Sequence, residues 1–253
     1  MLEKARSLPC DVVVLDLEDS VAPEAKNAAR TRVCDAVKTY GAREVAIRIN
    51  PLSTPWGKAD LAAAYAAAPD AVLLPKVERA GDVVALNANI PVWAMIETPL
   101  GVVNVADIAA SGAQCLAMGT NDLLTAMHAQ ALPDRRNLWA ALSQTVIAAR
   151  AHGLTVTDGT YNEIADEAGF LQSCIQGRAF GFDGKTLIHP SQIETCNRVF
   201  SPSLEEIARA RRVLEAFAQN PGKGAIALDG RMVERLHAED ARRILALADA
   251  GRA

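Results

Sequence analysis

Three carboxylates, Asp16, Glu18 and Asp19, fall within four positions at the end of the apolar run DVVVLDLED (11–19). Like charges this close repel one another and are costly to desolvate. The run leading in is apolar at consecutive positions, which suits a strand buried on both faces and puts its end near a core. A positive group is therefore expected beside them. Other short apolar runs also end in polar residues: Arg48 and Asn50, Lys76 and Glu78, Glu97 and Thr98, then Thr120, Asn121 and Asp122, then Asp158, then Lys185 and His189. Several carboxylates around one point form a hard-oxygen environment suited to Mg²⁺, with Mn²⁺ as a substitute. Mg²⁺ takes one or two carboxylates and leaves positions for water and substrate oxygens. A nearby arginine can polarise a carbonyl or pair bidentately with a carboxylate. Cation and arginine together could stabilise an enolate, as in making or breaking a carbon–carbon bond next to a carbonyl.

Other chemistries lack their residues. The four histidines, His128, His152, His189 and His237, are dispersed, which does not suit zinc. Neither GFDG (181–184) nor GKG (222–224) matches a phosphate-binding glycine loop, and no GxSxG elbow occurs. A lysine among so many acids should keep its proton, which argues against Lys76 as a Schiff-base nucleophile. His189, followed by Pro190, reads as a structural hydrogen-bonding residue.

The elements that must position these residues follow from periodicity. Seven apolar runs, DVVVLDLED (11–19), EVAIRIN (44–50), AVLLPKVE (71–78), PVWAMIETP (91–99), QCLAMGTNDL (114–123), LTVTDGTYN (154–162) and FDGKTLIHP (182–190), alternate with helical stretches. The helices are expected over PEAKNAARTRVCDAVKTY, ADLAAAYAAA, GDVVALNAN, GVVNVADIAASG, about 134–152 and about 163–176. Continuous apolar strands alternating with helices predict a parallel α/β sheet covered on both faces. Seven units in the first 200 residues approach an eight-stranded (β/α)₈ TIM barrel, whose site lies at the C-terminal ends of the strands. The chain opens in what reads as a helix, LEKARSL, so the barrel's usual first strand is missing from the pattern. Residues 1–200 are thus expected to form the barrel and residues 201–253 a C-terminal helical extension. That extension comprises a capped amphipathic helix (201–220), a Gly-rich stretch PGKGAIALDGRMVE and a final helix HAEDARRILALADA.

Composition bounds the function. The 253 residues are half hydrophobic with a net charge of −4, so no basic excess points to nucleic acid or an anionic membrane surface. No apolar run reaches membrane-spanning length and the N-terminus lacks a signal-peptide core. Five scattered cysteines without a CxxC motif read as core residues in a reducing cytoplasm.

DVVVLDLEDSVAPEAK, RIN, LLPKVE, MIETPLGVVN, GTNDL, GFDGKTLIHPSQI and LDGRMVE resemble, in order, the citrate lyase β-subunit-like branch of the HpcH/HpaI aldolase family, which includes malyl-CoA and citramalyl-CoA lyases. The resemblance spans nearly the whole chain and implies a (β/α)₈ barrel, assembled as a homotrimer or hexamer. It implies Mg²⁺-dependent cleavage or synthesis of a 3-hydroxy-3-carboxyacyl thioester carried on CoA or an acyl carrier. Glu97 and Asp122 would then be the direct metal ligands and Arg48 would bind the substrate acyl oxygen or carboxylate. Glu18 and Asp19, with Asp16 beside them, would hold metal-bound waters, and Lys76 and Asn121 would line the substrate pocket. Arg48, Glu97 and Glu234 would be the catalytic set. Three departures stand out: the absent strand, Asn121 where relatives often carry Glu, and Glu234 where relatives often carry an Asp that reaches a neighbour's active site as an acid/base. Lys26, Arg30, Arg32 and Lys58 are candidates to meet CoA phosphates. A free 2-oxo acid aldolase, or a catalytically weak thioester-binding paralogue or complex subunit, are the alternatives.

Overall fold

Residues rich in Val, Ile and Leu build the strands of the computed structural model, which describes residues 2–86 and 90–251. The last three residues of the expected helix GDVVALNAN (87–89) lie outside the described residues. The strands are β1 (Val12–Asp16), β2 (Glu44–Arg48), β3 (Ala71–Leu74), β4 (Val92–Ile96), β5 (Cys115–Met118), β6 (Thr155–Asp158) and β7 (Gly184–Lys185). They form one seven-stranded sheet in the order β1-β2-β3-β4-β5-β6-β7, and each neighbouring pair is parallel. A doubly wound sheet reverses direction part-way; this one winds continuously, as a barrel does. Every residue of β3 and of β5 is buried, as expected for parallel strands covered on both faces. β1 instead leaves Val14 36 % exposed, because it ends the sheet and has one strand neighbour.

The sheet curls. Leu73 of β3, Met95 of β4 and Ala117 of β5 pack together with Trp93 alongside. Arg48 at the end of β2 comes within 4.0 Å of the Met95 sulfur, two strands away. Glu18, after β1, comes within 3.5 Å of Lys76, after β3. The curl brings the C-terminal ends of the first five strands towards a common point.

Local chemistry moved several expected boundaries. The run FDGKTLIHP contributes only two strand residues, because the Gln192 side-chain oxygen accepts from the backbone N–H of Ile188 and His189 and turns the chain into the next helix. The stretch GVVNVADIAASG is two short helices, Pro99–Val103 and Val105–Ala109, split at Asn104, whose amide donates to the Glu78 carbonyl. The helix expected at about 163–176 runs from Glu167 to Phe180: Asp166 caps it by accepting from the Gly169 N–H, and Gly181 ends it at φ 98°.

The chain divides into two compact units, Met1–Cys196 and Asn197–Ala253. In the second, Ser203 caps the helix Leu204–Ala218 through a reciprocal pair of hydrogen bonds with Glu206. The Gly-rich stretch is an antiparallel hairpin, β8 (Ala225–Leu228) and β9 (Arg231–Glu234). Its two-residue turn, Asp229-Gly230, has positive φ at both positions, the conformation that matches strand twist. The hairpin and the helix Arg235–Ala250 close a small core of Ala210, Val213, Ile226, Val233, Ala238 and Ala241.

Candidate functional site

Asp16, the last residue of β1, anchors the site. Its two oxygens accept from the Glu18 and Ser20 backbone N–H groups, and both take a 2.6 Å hydrogen bond from the Arg48 guanidinium. Burial alone would raise its pKa, but the Arg48 hydrogen bonds and charge outweigh burial and hold the carboxyl below its ordinary value. Arg48 Nη1 is left facing Glu18 Oε2 at 3.0 Å and Asp19 Oδ2 at 3.5 Å. The Glu18 oxygen is buried and within ion-pair reach, yet it lacks an aligned hydrogen bond. Burial raises the Glu18 pKa, and Arg48 only partly offsets this.

Lys76 follows β3 in the left-handed region, at φ 53°. That backbone aims its N–H at Glu97 Oε1, 2.8 Å away, while its ammonium lies 3.5 Å from Glu18 Oε1. Slight burial would lower the Lys76 pKa, but Glu18, Asp122 and Glu97 together raise it, so the amine stays protonated, as expected against a Schiff-base role.

Glu97, just past β4, is 1 % exposed. Its pKa is pushed up to about 8, first by burial, then by a hydrogen bond to the Asp122 carboxyl and by the nearby charges of Glu18 and Asp122. The Glu97 carboxyl, just past β4, and the Asp122 carboxyl, on the helix after β5, thus lie within hydrogen-bonding reach of each other. Gly119 lies against Glu97, and a Cβ there would collide with the Glu97 side chain. Among the described residues no cage of three or more His, Cys, Asp or Glu side chains is formed. One or two carboxylates are nevertheless what Mg²⁺ commonly takes from a protein, its remaining positions going to water and substrate oxygens, and a divalent cation would offset the repulsion between the two. The donor set fits: Glu97 and Asp122 could hold Mg²⁺.

The comparisons with known proteins bear on this arrangement. A family model described as HpcH/HpaI aldolase/citrate lyase matches residues 1–190. The chain belongs to the HpcH/HpaI aldolase/citrate lyase family. A (3S)-malyl-CoA thioesterase from Cereibacter sphaeroides is 48 % identical over 98 % of this chain and 90 % of its own length. The citrate lyase subunit beta of Leuconostoc mesenteroides subsp. cremoris is 36 % identical over 99 % of this chain and 89 % of its own. The crystal structure of CitE from Mycobacterium tuberculosis, in complex with magnesium, acetoacetate and coenzyme A, superposes with a TM-score of 0.82 at 33 % identity. It covers 97 % of this chain and 91 % of that one.

For this family member the structure divides the strand-end residues into two groups. Asp16, Glu18, Asp19, Arg48, Lys76, Glu97 and Asp122 come together as one charged cluster. Asp158 and Lys185 do not join it. Buried Asp158 pairs with the buried Lys185 at 2.9 Å and with the half-buried Arg135 at 2.8 Å, forming an ion triad of their own. Asn121 turns its amide to Thr160 and Asn162 at 3.1 and 3.2 Å, tying the loop after β6 to the helix after β5. His189 caps the turn at Pro190 by accepting from the Ser191 N–H, the structural role expected of it. Glu234 belongs to the second unit, where its N–H donates to His237 Nδ1 at 3.0 Å as the final helix begins.

Two candidate phosphate contacts are corrected. Lys26 is only 6 % exposed and hydrogen-bonded on all sides, and Arg30 is paired with the buried Asp60 at 2.7 Å. Their basic charge, read as surface charge, is spent on carbonyls, an amide and a carboxylate inside the protein. Gly119 and Asp60 are site-supporting residues that pattern reading missed. A glycine between strand and helix, and an aspartate on an Ala-rich helix, carry no signal of their neighbours.

Proposed function

We propose that the chain is a Mg²⁺-dependent lyase that cleaves or forms a carbon–carbon bond in the CoA thioester of a 3-hydroxy-3-carboxyacyl group. The observation that carries this reading is the buried Glu97 carboxyl paired with the half-buried Asp122, in one charged cluster with a guanidinium held by Asp16. Glu97 and Asp122 would hold Mg²⁺, whose contribution is to polarise the substrate's hydroxyl and carboxylate oxygens. Arg48, unable to rotate away from Asp16, would bind the thioester carbonyl and stabilise the negative charge that develops on its oxygen as the carbon–carbon bond breaks. In that step the 3-hydroxyl loses its proton and becomes the carbonyl of a 2-oxo acid. The bond electrons pass to the thioester as an enolate, which then takes up a proton at carbon. Glu18 and Asp19 would hold water in the site, and the Lys76 ammonium and Asn121 would contact substrate. Glu234 is proposed as the acid/base, so Glu234→Gln should slow turnover without changing Mg²⁺ affinity.

The CoA thioester as substrate class draws support from the magnesium and coenzyme A bound by CitE, and from the name of the thioesterase relatives. Those relatives also favour a second reading, hydrolysis of the same thioester to a hydroxy dicarboxylate and free CoA. One experiment separates the two. The protein is given (3S)-malyl-CoA and Mg²⁺, and the products are identified: glyoxylate with acetyl-CoA means lysis, malate with CoA means hydrolysis. Glu97→Gln should abolish either; formation of neither product would overturn the proposed function. The same reading carries the (β/α)₈ barrel architecture, of which seven strands are present among the described residues, with residues 201–253 as its C-terminal extension, a homo-oligomeric trimer or hexamer, and a cytoplasmic location. No helix among the described residues is long and apolar enough to cross a membrane. Light scattering of the purified chain tests the oligomer.

A further inference from the structure

The helix Lys26–Ala36 begins with a buried ammonium. Lys26 Nζ donates to the Leu17 carbonyl at 2.8 Å, the Glu18 carbonyl at 2.7 Å and Asn50 Oδ1 at 2.8 Å, which uses all three of its protons. It also stands 5.3 Å from the centre of the Trp56 ring. None of the ion pairs among the described residues includes it, so the charge is met by neutral acceptors. Burying a charge this way is costly, and an apolar residue of similar volume would fill the same space at less expense.

The acceptors show what the cost achieves. Leu17 and Glu18 form the exit from β1, and Asn50 lies just beyond β2. The Asn50 amide donates back to the Leu17 carbonyl at 2.8 Å and to Asp60 Oδ2 at 2.6 Å, and Asp60 is held by Arg30. The Leu17 N–H donates to the Arg48 carbonyl at 2.9 Å. The backbone of residues 17 and 18 is therefore clamped on both sides. The Glu18 carboxylate, by contrast, has only ion pairs: Arg48 at 3.0 Å and Lys76 at 3.5 Å, with one oxygen lacking any aligned hydrogen bond. Its location is set from its own backbone. We propose that Lys26 is a positioning residue: it fixes the Leu17–Glu18 carbonyls so that the Glu18 carboxylate meets Arg48 Nη1, and so holds the Arg48 guanidinium in register with the site. Only the kinetic arm of the test rests on the lyase reading.

The test is hydrogen exchange of arginine Nε–H groups, read by ¹⁵N NMR on the full chain. Arg48 Nε donates to Asp16 at 2.6 Å, and Arg135 Nε donates to Gln176 at 2.7 Å, away from Lys26, as an internal control. In Lys26→Met, Arg48 Nε–H exchange should quicken by about tenfold or more while Arg135 Nε–H stays unchanged, the signature of local loosening. Adding Lys26→Met to Glu18→Gln should quicken Arg48 little further, since coupled residues are non-additive. If Arg48 is unaffected, or if both arginines quicken together, the proposal is overturned. Should Lys26→Met fail to fold, Lys26→Gln, which keeps amide donors, should quicken Arg48 alone by a smaller factor; wild-type exchange in that variant overturns the proposal equally. In the kinetic arm, kcat on (3S)-malyl-CoA falls with KM nearly unchanged. A wild-type chain inactive on that thioester refutes the lyase reading, while the exchange measurement still decides the role of Lys26.

Discussion

A methyl group at Gly119 would collide with the Cβ and Oε2 of Glu97, whereas one at Gly81 would meet nothing within 4 Å. This contrast isolates the carboxyl pair from general packing. Gly119→Ala must displace a 1 %-exposed carboxylate or the backbone beside it, at a cost of about 1–3 kcal/mol as for other overpacked sites. Much of that strain falls on the donor set, so Mg²⁺ affinity by calorimetry should drop at least about tenfold, a loss of roughly 1.4 kcal/mol. Gly81→Ala, in the short helix Ala80–Val84, should leave Mg²⁺ binding alone and stabilise by about 0.5–1 kcal/mol through helix propensity. Equal Mg²⁺ affinity in Gly119→Ala and wild type would show that Glu97 is not held where the geometry puts it.

Elements set residues in conformations that side-chain type alone does not reveal. Lys76 sits at φ 53° at the exit of β3, a region costing a non-glycine residue about 1 kcal/mol or more. Its contact with Glu97 is made by the backbone N–H, which any residue supplies, while its contact with Glu18 needs the ammonium. Lys76→Gly should therefore keep thermal stability within about 1 kcal/mol of wild type, yet lower turnover; a large loss of stability would contradict this division. The ends of β6 and β7 give the opposite case. Asp158 pairs with the buried Lys185 and the half-buried Arg135, and although burial opposes ionisation, these two cations outweigh it and hold the Asp158 carboxyl below its ordinary value. A lowered folded pKa stabilises above the unfolded value near 4 and the benefit is lost as pH falls through the folded one. Asp158→Asn, which strands both cations, should cost about 3–5 kcal/mol at neutral pH. The gap between mutant and wild type in denaturant unfolding should narrow below about pH 4. The seven strands were legible because parallel strands covered on both faces read as continuous apolar runs, and the acidic cluster was legible because it fell at their ends. The sorting of Asp158 and Lys185 away from that cluster was not, since the last residue of a strand faces the site or the flanking helix according to a register that apolar runs do not encode. Lys26 was hidden for a related reason: a basic residue at a helix start looks solvated until the fold places carbonyls around it.

At the scale of the whole chain, Mg²⁺ should act on stability as well as on chemistry. A ligand that binds only the folded state adds about 2.7 kcal/mol at one hundred times its dissociation constant. For a chain of this length that corresponds to a rise in Tm of roughly 5–10 °C, at 2–4 °C per kcal/mol. The carboxyl pair lies in the unit Met1–Cys196, whereas Asn197–Ala253 has its own core around Val213, Ile226 and Val233. Heating in a calorimeter with and without Mg²⁺ therefore reads two properties at once. If the units unfold together, a single transition shifts as a whole. If they unfold separately, the transition of the larger unit moves with Mg²⁺ and the smaller one stays. EDTA should return the shifted transition to its metal-free position, and Asp122→Asn should show little shift at any Mg²⁺ concentration that moves the wild type. A full Mg²⁺ shift in Asp122→Asn would place the cation elsewhere in the molecule.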